Sequence, residues 1–215
     1  MKYFTSDTHI NHKSILELQQ RPFLTLSEHD EIIINNICNT VTKDDELFFI
    51  GDVIMGENVE YGLSLLRKIP CDKYLIKGNH DKKKEKYGDV FKDITKYMEI
   101  KDKEHELVLC LSHYPFLCWH HQRKGSIMLH GHIHSDPSYN VINKKLGIKR
   151  YDVGVDANNY KPVSLEEIIE FFKGIERPSL KDICMNEYVK QNQILGLYNE
   201  YKEVQEICYK NFKEK

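Results

Sequence analysis

Glu46-Leu47-Phe48-Phe49-Ile50 is a compact, mostly apolar run that stops at once on Gly51-Asp52. It is too short for a helix and rich in strand formers, so it reads as a buried strand that delivers a carboxylate at its carboxyl end. The pattern recurs on both sides. Lys2 to Ser6 leads into Asp7 and His9, and Lys73-Tyr74-Leu75-Ile76-Lys77 leads through Gly78 into Asn79, His80 and Asp81. Between the first two runs, Ser27-Glu28-His29-Asp30 resembles a helix start and Ile32, Ile33, Ile34, Ile37 and Val41 supply an apolar face. Between the second and third, Tyr61, Leu63, Leu65, Leu66 and Ile69 predict another helix, ended by Pro70. Strand–helix alternation of this kind predicts an α/β domain with a buried, mostly parallel sheet.

Further along, Glu106-Leu107-Val108-Leu109-Cys110-Leu111, Ser126-Ile127-Met128-Leu129 and the stretch from Arg150 to Asp156 read as three more strands. Ser164-Leu165-Glu166-Glu167 matches a capping box and opens a helix through Ile168, Ile169, Phe171 and Phe172. Beyond Arg177-Pro178 the character changes. Ile194, Leu197, Tyr201, Val204 and Cys208 recur at helical spacing among Lys and Glu, so residues 1–175 are expected to form the catalytic domain and 176–215 a C-terminal amphipathic helical extension. That helix would dock on its own domain, pair with a second copy to give a homo-oligomer, or touch another protein.

The composition narrows the function classes. With 31 basic and 33 acidic side chains in 215 residues, the chain has no global field to attract nucleic acid or an anionic membrane. No segment has the apolar length of a signal peptide or a membrane span, so a cytoplasmic protein with no membrane partner is expected. Six scattered cysteines without a C-x-x-C pair exclude a thiolate zinc site and a secreted disulfide scaffold. Eleven histidines are the oddity, seven of them between His105 and His134.

The metal-type residues follow the strands: Asp7 and His9 the first, Asp52 the second, Asn79, His80 and Asp81 the third, His113 the fourth, His132 and His134 the fifth. Carboxyl ends of strands in an open α/β sheet converge on one crevice. Residues two apart in an extended segment point the same way, so Asp7 with His9, and His132 with His134, can each present two ligand atoms together. Glycines 51, 78 and 131 precede ligands where the chain must turn or allow close approach. The oxygen and nitrogen donor set suits manganese, iron, zinc, cobalt or nickel. A pair of such ions can clamp a phosphoryl group and acidify a water, with Asp52 as the candidate carboxylate between them.

Asp7-Thr8-His9, Gly51-Asp52, Gly78-Asn79-His80-Asp81, Ser112-His113 and Gly131-His132-Ile133-His134 resemble, in order, the five motif blocks of calcineurin-like metallophosphoesterases. The resemblance spans about residues 2 to 173, and Thr5 to His9, Arg21-Pro22-Phe23 and Val153-Gly154-Val155-Asp156 further resemble a small bacterial and phage subgroup. It implies a four-layer α/β/β/α sandwich. It also implies one divalent ion, manganese foremost, on Asp7, His9, Asp52 and His134, and a second on Asp52, Asn79, His113 and His132. His80 would contact the phosphoryl group or protonate the leaving alkoxide, and Asp81 would orient it or serve structurally.

Gly51-Asp52-Val53 lacks the Asp-Arg-Gly triplet of protein phosphatases, which argues against a phosphoprotein substrate. A phosphodiesterase on nucleotides or nucleic-acid ends is expected, with a phosphomonoesterase as the alternative and a metal-binding interaction scaffold as a third reading. Arg21, His12 and Arg150 are candidates for substrate contact, against ordinary salt bridging for the two arginines. His29 is expected on a solvated helix face, and His120 and His121 either at the pocket rim or in a loop packed around Trp119.

Overall fold

The computed structural model describes residues 1–81 and 87–175. The basic run at 82–86 and the expected C-terminal helix lie outside these residues. The described chain runs β1 (Lys2–Thr5), α1 (Ile15–Leu18), α2 (Leu26–Thr40), β2 (Glu46–Phe49), α3 (Val59–Leu66), β3 (Asp72–Ile76), β4 (Asp93–Thr95), β5 (Met98–Asp102), β6 (Leu107–Leu111), β7 (Ile127–His130), α4 (Pro137–Lys145), β8 (Arg150–Asp152), β9 (Val163–Ser164) and α5 (Leu165–Phe171).

Two sheets result, one in the order β4-β3-β2-β1-β9 and the other β5-β6-β7-β8. β1, β2, β3 and β4 pair in parallel, as do β6, β7 and β8; only β5 and β9 are antiparallel. The alternating side chains of the central strands sort into separate apolar layers. Leu47, Phe49 and Leu75 face outward and bury against Ile33, Ile34 and Ile37 of α2 and Leu63, Leu65 and Leu66 of α3. Phe4, Phe48, Ile50 and Ile76 face inward and meet Leu109, Leu111, Ile127 and Leu129 of the second sheet. In-register rings stack across three strands, Phe4 on Phe48 at 5.4 Å and Phe48 on Tyr74 at 4.8 Å. On the far face of the second sheet, Cys110 and Met128 bury against Trp119, and α4 packs on β8. Helices thus flank a pair of sheets, as the expected four-layer sandwich requires.

Several local expectations shift. α2 is capped two residues before Ser27, by Thr25: the Thr25 hydroxyl accepts from Glu28 N while the Glu28 carboxylate accepts from Leu24 N. α3 ends at Leu66, short of Pro70. The strand expected from Arg150 to Asp156 stops at Asp152, and Val155–Asn158 forms a 3-10 turn. The Ser164–Glu167 capping box forms as read. β4, β5, β9, α1 and α4 are additional. α4 starts on Asp136, which accepts from Ser138 N, with Pro137 in its first turn.

Leu109→Ala, emptying space between the sheets, is expected to cost about 2–5 kcal/mol in urea unfolding. Leu24→Ala, at a residue 93% exposed, is expected to change stability by less than about 0.5 kcal/mol.

Candidate metal centre

The loops after the strand ends are tied together before any ligand is considered. Asp7 N donates to Gly51 O, His9 N to Asp52 O and Ile10 N to Val53 O, each at about 3 Å, so the first two loops leave their strands side by side. Asp81 is fully buried and accepts from Asp52 N at 2.6 Å, Gly78 N at 2.9 Å, Val53 N at 3.3 Å and the Tyr87 hydroxyl. Of the two roles implied for Asp81, orienting His80 or serving structurally, these contacts fit the second. Among the described residues its hydrogen bonds go to the second and third loops and to Tyr87 rather than to the His80 ring, so it holds the turn that carries Asp52.

Five of the expected ligands sit in left-handed backbone conformations: Asp7 at φ 55°, His9 at 49°, Asp52 at 53°, His132 at 75° and His134 at 46°. Each costs about 1 kcal/mol or more for a non-glycine residue, so the surrounding contacts must impose them. Two glycines make the crowding possible. A Cβ on Gly78 would collide with the Asp52 carboxylate and amide, and one on Gly131 with the side chains of Ser6 and Asp7.

Two groups of ligand atoms emerge, Asp7 with His9 and His134, and Asp52 with His113 and His132, each within 4.8 Å. Asp52 lies between them: its Oδ2 is 3.3 Å from His113 Nε2 and 3.9 Å from His9 Nε2. Asn79 Oδ1 is 3.0 Å from His113 Nε2 and joins the second group. In the first group, Asp7 Oδ1 and His9 Nε2 are buried with no hydrogen-bond partner. An orphaned carboxylate oxygen beside an orphaned imidazole nitrogen is costly in a protein interior, and a divalent cation satisfies both. The residues present therefore fit two ions.

The charges point the same way. Burial raises the pKa of Asp7, the Asp52 charge adds to that, and His134, His113 and the amide of His132 partly offset it. Burial and the neighbouring His134 lower His9 to about 2. Burial also lowers His132. Both shifts favour the neutral imidazole, which has a lone pair to give. For Asp52 burial pushes upward, but hydrogen bonding and charge from His113 win and hold it at about 2. His113, pushed down by burial, is carried up to about 9 by Asp52 and Asp7. Without ions, a proton on His113 compensates the carboxylates.

The other candidates are placed as follows. His80 donates its amide to Asp52 Oδ1 at 2.9 Å, while its ring, 40% exposed, lies beside the centre with Nε2 3.9 Å from Asp52 Oδ2. His12 is half-buried with Nδ1 3.1 Å from His9 Nδ1. Arg21, a candidate for substrate contact, has a fully buried side chain ion-paired with Asp156 at 2.7 Å. Arg150 donates to Phe116 O and Asn143 Oδ1 and lies over the Tyr139 ring. His29 is buried rather than solvated, hydrogen-bonded to Asp30 and Arg21. Trp119 is buried under its loop, donating to Ser126, and His120 pairs with Glu99. Two neighbours were not anticipated: Asp156 as the partner of His134 at 2.8 Å, and Tyr114, whose ring lies 4.5 Å from that of His132. Among the described residues no helix is long and apolar enough to cross a membrane.

The calcineurin-like phosphoesterase family matches residues 3–164. An uncharacterized protein of Methanocaldococcus jannaschii is 33% identical over 174 residues, covering 80% of this chain and 90% of that one. The gene 66 protein of Mycobacterium phage L5 is 28% identical over 200 residues, covering 80% and 94%. Among solved structures, a protein of unknown function from Aquifex aeolicus aligns with a TM-score of 0.65 at 28% identity, over 79% of this chain and 98% of that one.

Gly131→Ala is expected to leave a folded protein whose Mn²⁺ affinity, read by calorimetric titration, falls about ten- to a hundredfold as Asp7 is displaced. Ion binding needs the lone pair of His113, which holds its proton below about pH 9. Loading near pH 7 should therefore release that proton, and the release measured by pH-stat should shrink as the starting pH rises through about 9.

Proposed function

Because this chain belongs to the calcineurin-like phosphoesterase family, we propose that it is a two-ion phosphodiesterase acting on nucleotides or nucleic-acid ends. The observation that carries the reading is the position of Asp52, whose Oδ2 is within 3.9 Å of an imidazole nitrogen in each ligand group, so that one carboxylate serves both. Two divalent ions, one on Asp7, His9, Asp52 and His134 and the other on Asp52, Asn79, His113 and His132, would polarise the phosphoryl group and acidify the attacking water. The mixed oxygen and nitrogen donor set suits manganese, iron, zinc, cobalt or nickel, and manganese is the ion proposed first.

The protein's own residues supply the rest. His80 belongs to neither ligand group, its amide is fixed on Asp52 Oδ1 and its ring is the more exposed partner of that pair. It is thus positioned to donate a proton to the leaving alkoxide or a hydrogen bond to a phosphoryl oxygen. Asp81 keeps that geometry by holding the amides of Gly78, Asp52 and Val53. Tyr114, 46% exposed beside His132, offers a face on which a nucleobase can stack. The near balance of 31 basic and 33 acidic residues supports a short substrate over a long strand, which needs an extended phosphate-tracking field.

The test is hydrolysis of bis(p-nitrophenyl) phosphate and p-nitrophenyl phosphate with added Mn²⁺. Diester cleavage should exceed monoester cleavage, His80→Ala should lower kcat by about 10²–10⁴, and Asp52→Asn should abolish turnover. Preference for the monoester would make the protein a phosphomonoesterase. Full ion loading with no cleavage of either ester would favour an interaction scaffold.

A further inference from the structure

The five N–H donors of a guanidinium are rarely all used, yet Arg21, with its side chain fully buried, uses every one. Nε donates to Asp156 Oδ1 at 2.8 Å and Nη2 to Asp156 Oδ2 at 2.7 Å, a two-pronged pairing. Nη2 also donates to Asp7 O at 2.8 Å, and Nη1 to Thr8 O at 3.3 Å and to His29 Nε2 at 2.8 Å.

Arginine cannot accept a hydrogen bond, which fixes the direction of the chain beyond it. His29 must accept at Nε2, so its proton is on Nδ1, and that proton goes to Asp30 Oδ1 at 2.7 Å. Asp30 Oδ2 in turn accepts from Asn11 N at 3.0 Å. On the other side, Asp156 Oδ2 accepts from His134 Nδ1 at 2.8 Å. This leaves the Nε2 lone pair of His134 on the side of Asp7, whose Oδ1 is 3.9 Å away.

Every contact of this network with the metal centre falls on one of the two ligand groups. It holds the carbonyl of Asp7, the carbonyl of Thr8, the amide of Asn11 and the ring of His134, and so brackets Asp7, His9 and His134. The other group has separate support: His113 Nδ1 donates to Ile50 O at 2.8 Å, and Asp52 is held by Asp81 and by the amide of His80. We infer that Arg21, Asp156, His29 and Asp30 are positioning residues that act chiefly on the affinity of the Asp7, His9 and His134 group, with far less effect on the ion of the Asp52, His113 and His132 group, although Asp52 is shared and Asp7 accepts from His132 N. The inference rests on the two-ion reading of the centre.

The test is equilibrium dialysis of the metal-free full chain against a series of free Mn²⁺ concentrations, counting bound Mn²⁺ per chain, for the wild type, Asp156→Asn and Arg21→Lys. Asp156→Asn preserves shape and removes the charge. Arg21→Lys keeps a charge but loses the fork, and gives the same reading should Asp156→Asn fail to fold. Both variants should fill one ion at the wild-type concentration and the second only at about ten- to a hundredfold higher Mn²⁺, with the ligand rings of the filled group unchanged by histidine NMR in a diamagnetic Zn²⁺ form. Equal weakening of both ions, or no weakening of either, in a wild type that binds two would overturn the inference and leave the two-ion reading intact. A wild type that binds no Mn²⁺ would overturn both.

Discussion

The Asp52 carboxylate lies between His113 Nε2 at 3.3 Å and His9 Nε2 at 3.9 Å with almost no access to water. Burying a carboxylate is strongly unfavourable unless charges and donors surround it. Here His80 N donates to one oxygen, and the other faces imidazoles drawn from three different loops. The surrounding structure can be understood as the means of keeping that carboxylate in place. Two sheets packed through Phe4, Phe48, Leu109 and Leu129 set the ends of β1, β2, β3, β6 and β7 over one another, so that loops distant in sequence deliver their donors to one volume.

Keeping the donors there requires backbone that would not adopt its shape alone. Asp7, His9, Asp52, His132 and His134 are all left-handed, and two glycines let the loops pass closer than a side chain allows. The strain is balanced by buried polar clamps: Asp81 across the second and third loops, and Arg21 with Asp156 across the first and fifth. These clamps carry charge into the interior, which is neutral for stability only when every donor and acceptor is matched. Arg21, with five donors and five partners, meets that condition. Asp7 Oδ1 and His9 Nε2 do not, and they are atoms that a cation would satisfy.

The ligands were legible because each follows an apolar run whose period fixes a strand, and the end of a parallel strand fixes a place. The supports were less legible. Asp81 neighbours His80 in sequence, yet its carboxylate turns the other way, toward three amides and Tyr87, and no spacing rule distinguishes those directions. For His29, expected on a solvated face, the sequence does carry a signal to the contrary. It lies four residues before Ile33 and eight before Ile37, on the buried face of α2, so helical period alone places it inward. β5 was missed because Glu99, Lys101 and Asp102 fill a partly exposed edge strand, where burial no longer enforces an apolar pattern. The pairing of Arg21 with Asp156 spans 135 positions and could be found only in three dimensions.

Anomalous diffraction from crystals grown with Mn²⁺ would show whether one buried carboxylate serves two ions. The account requires two peaks about 3.5–4 Å apart, with Asp52 between them, Asp7, His9 and His134 around one, and Asn79, His113 and His132 around the other. A single peak, or two peaks that do not share Asp52, would contradict it.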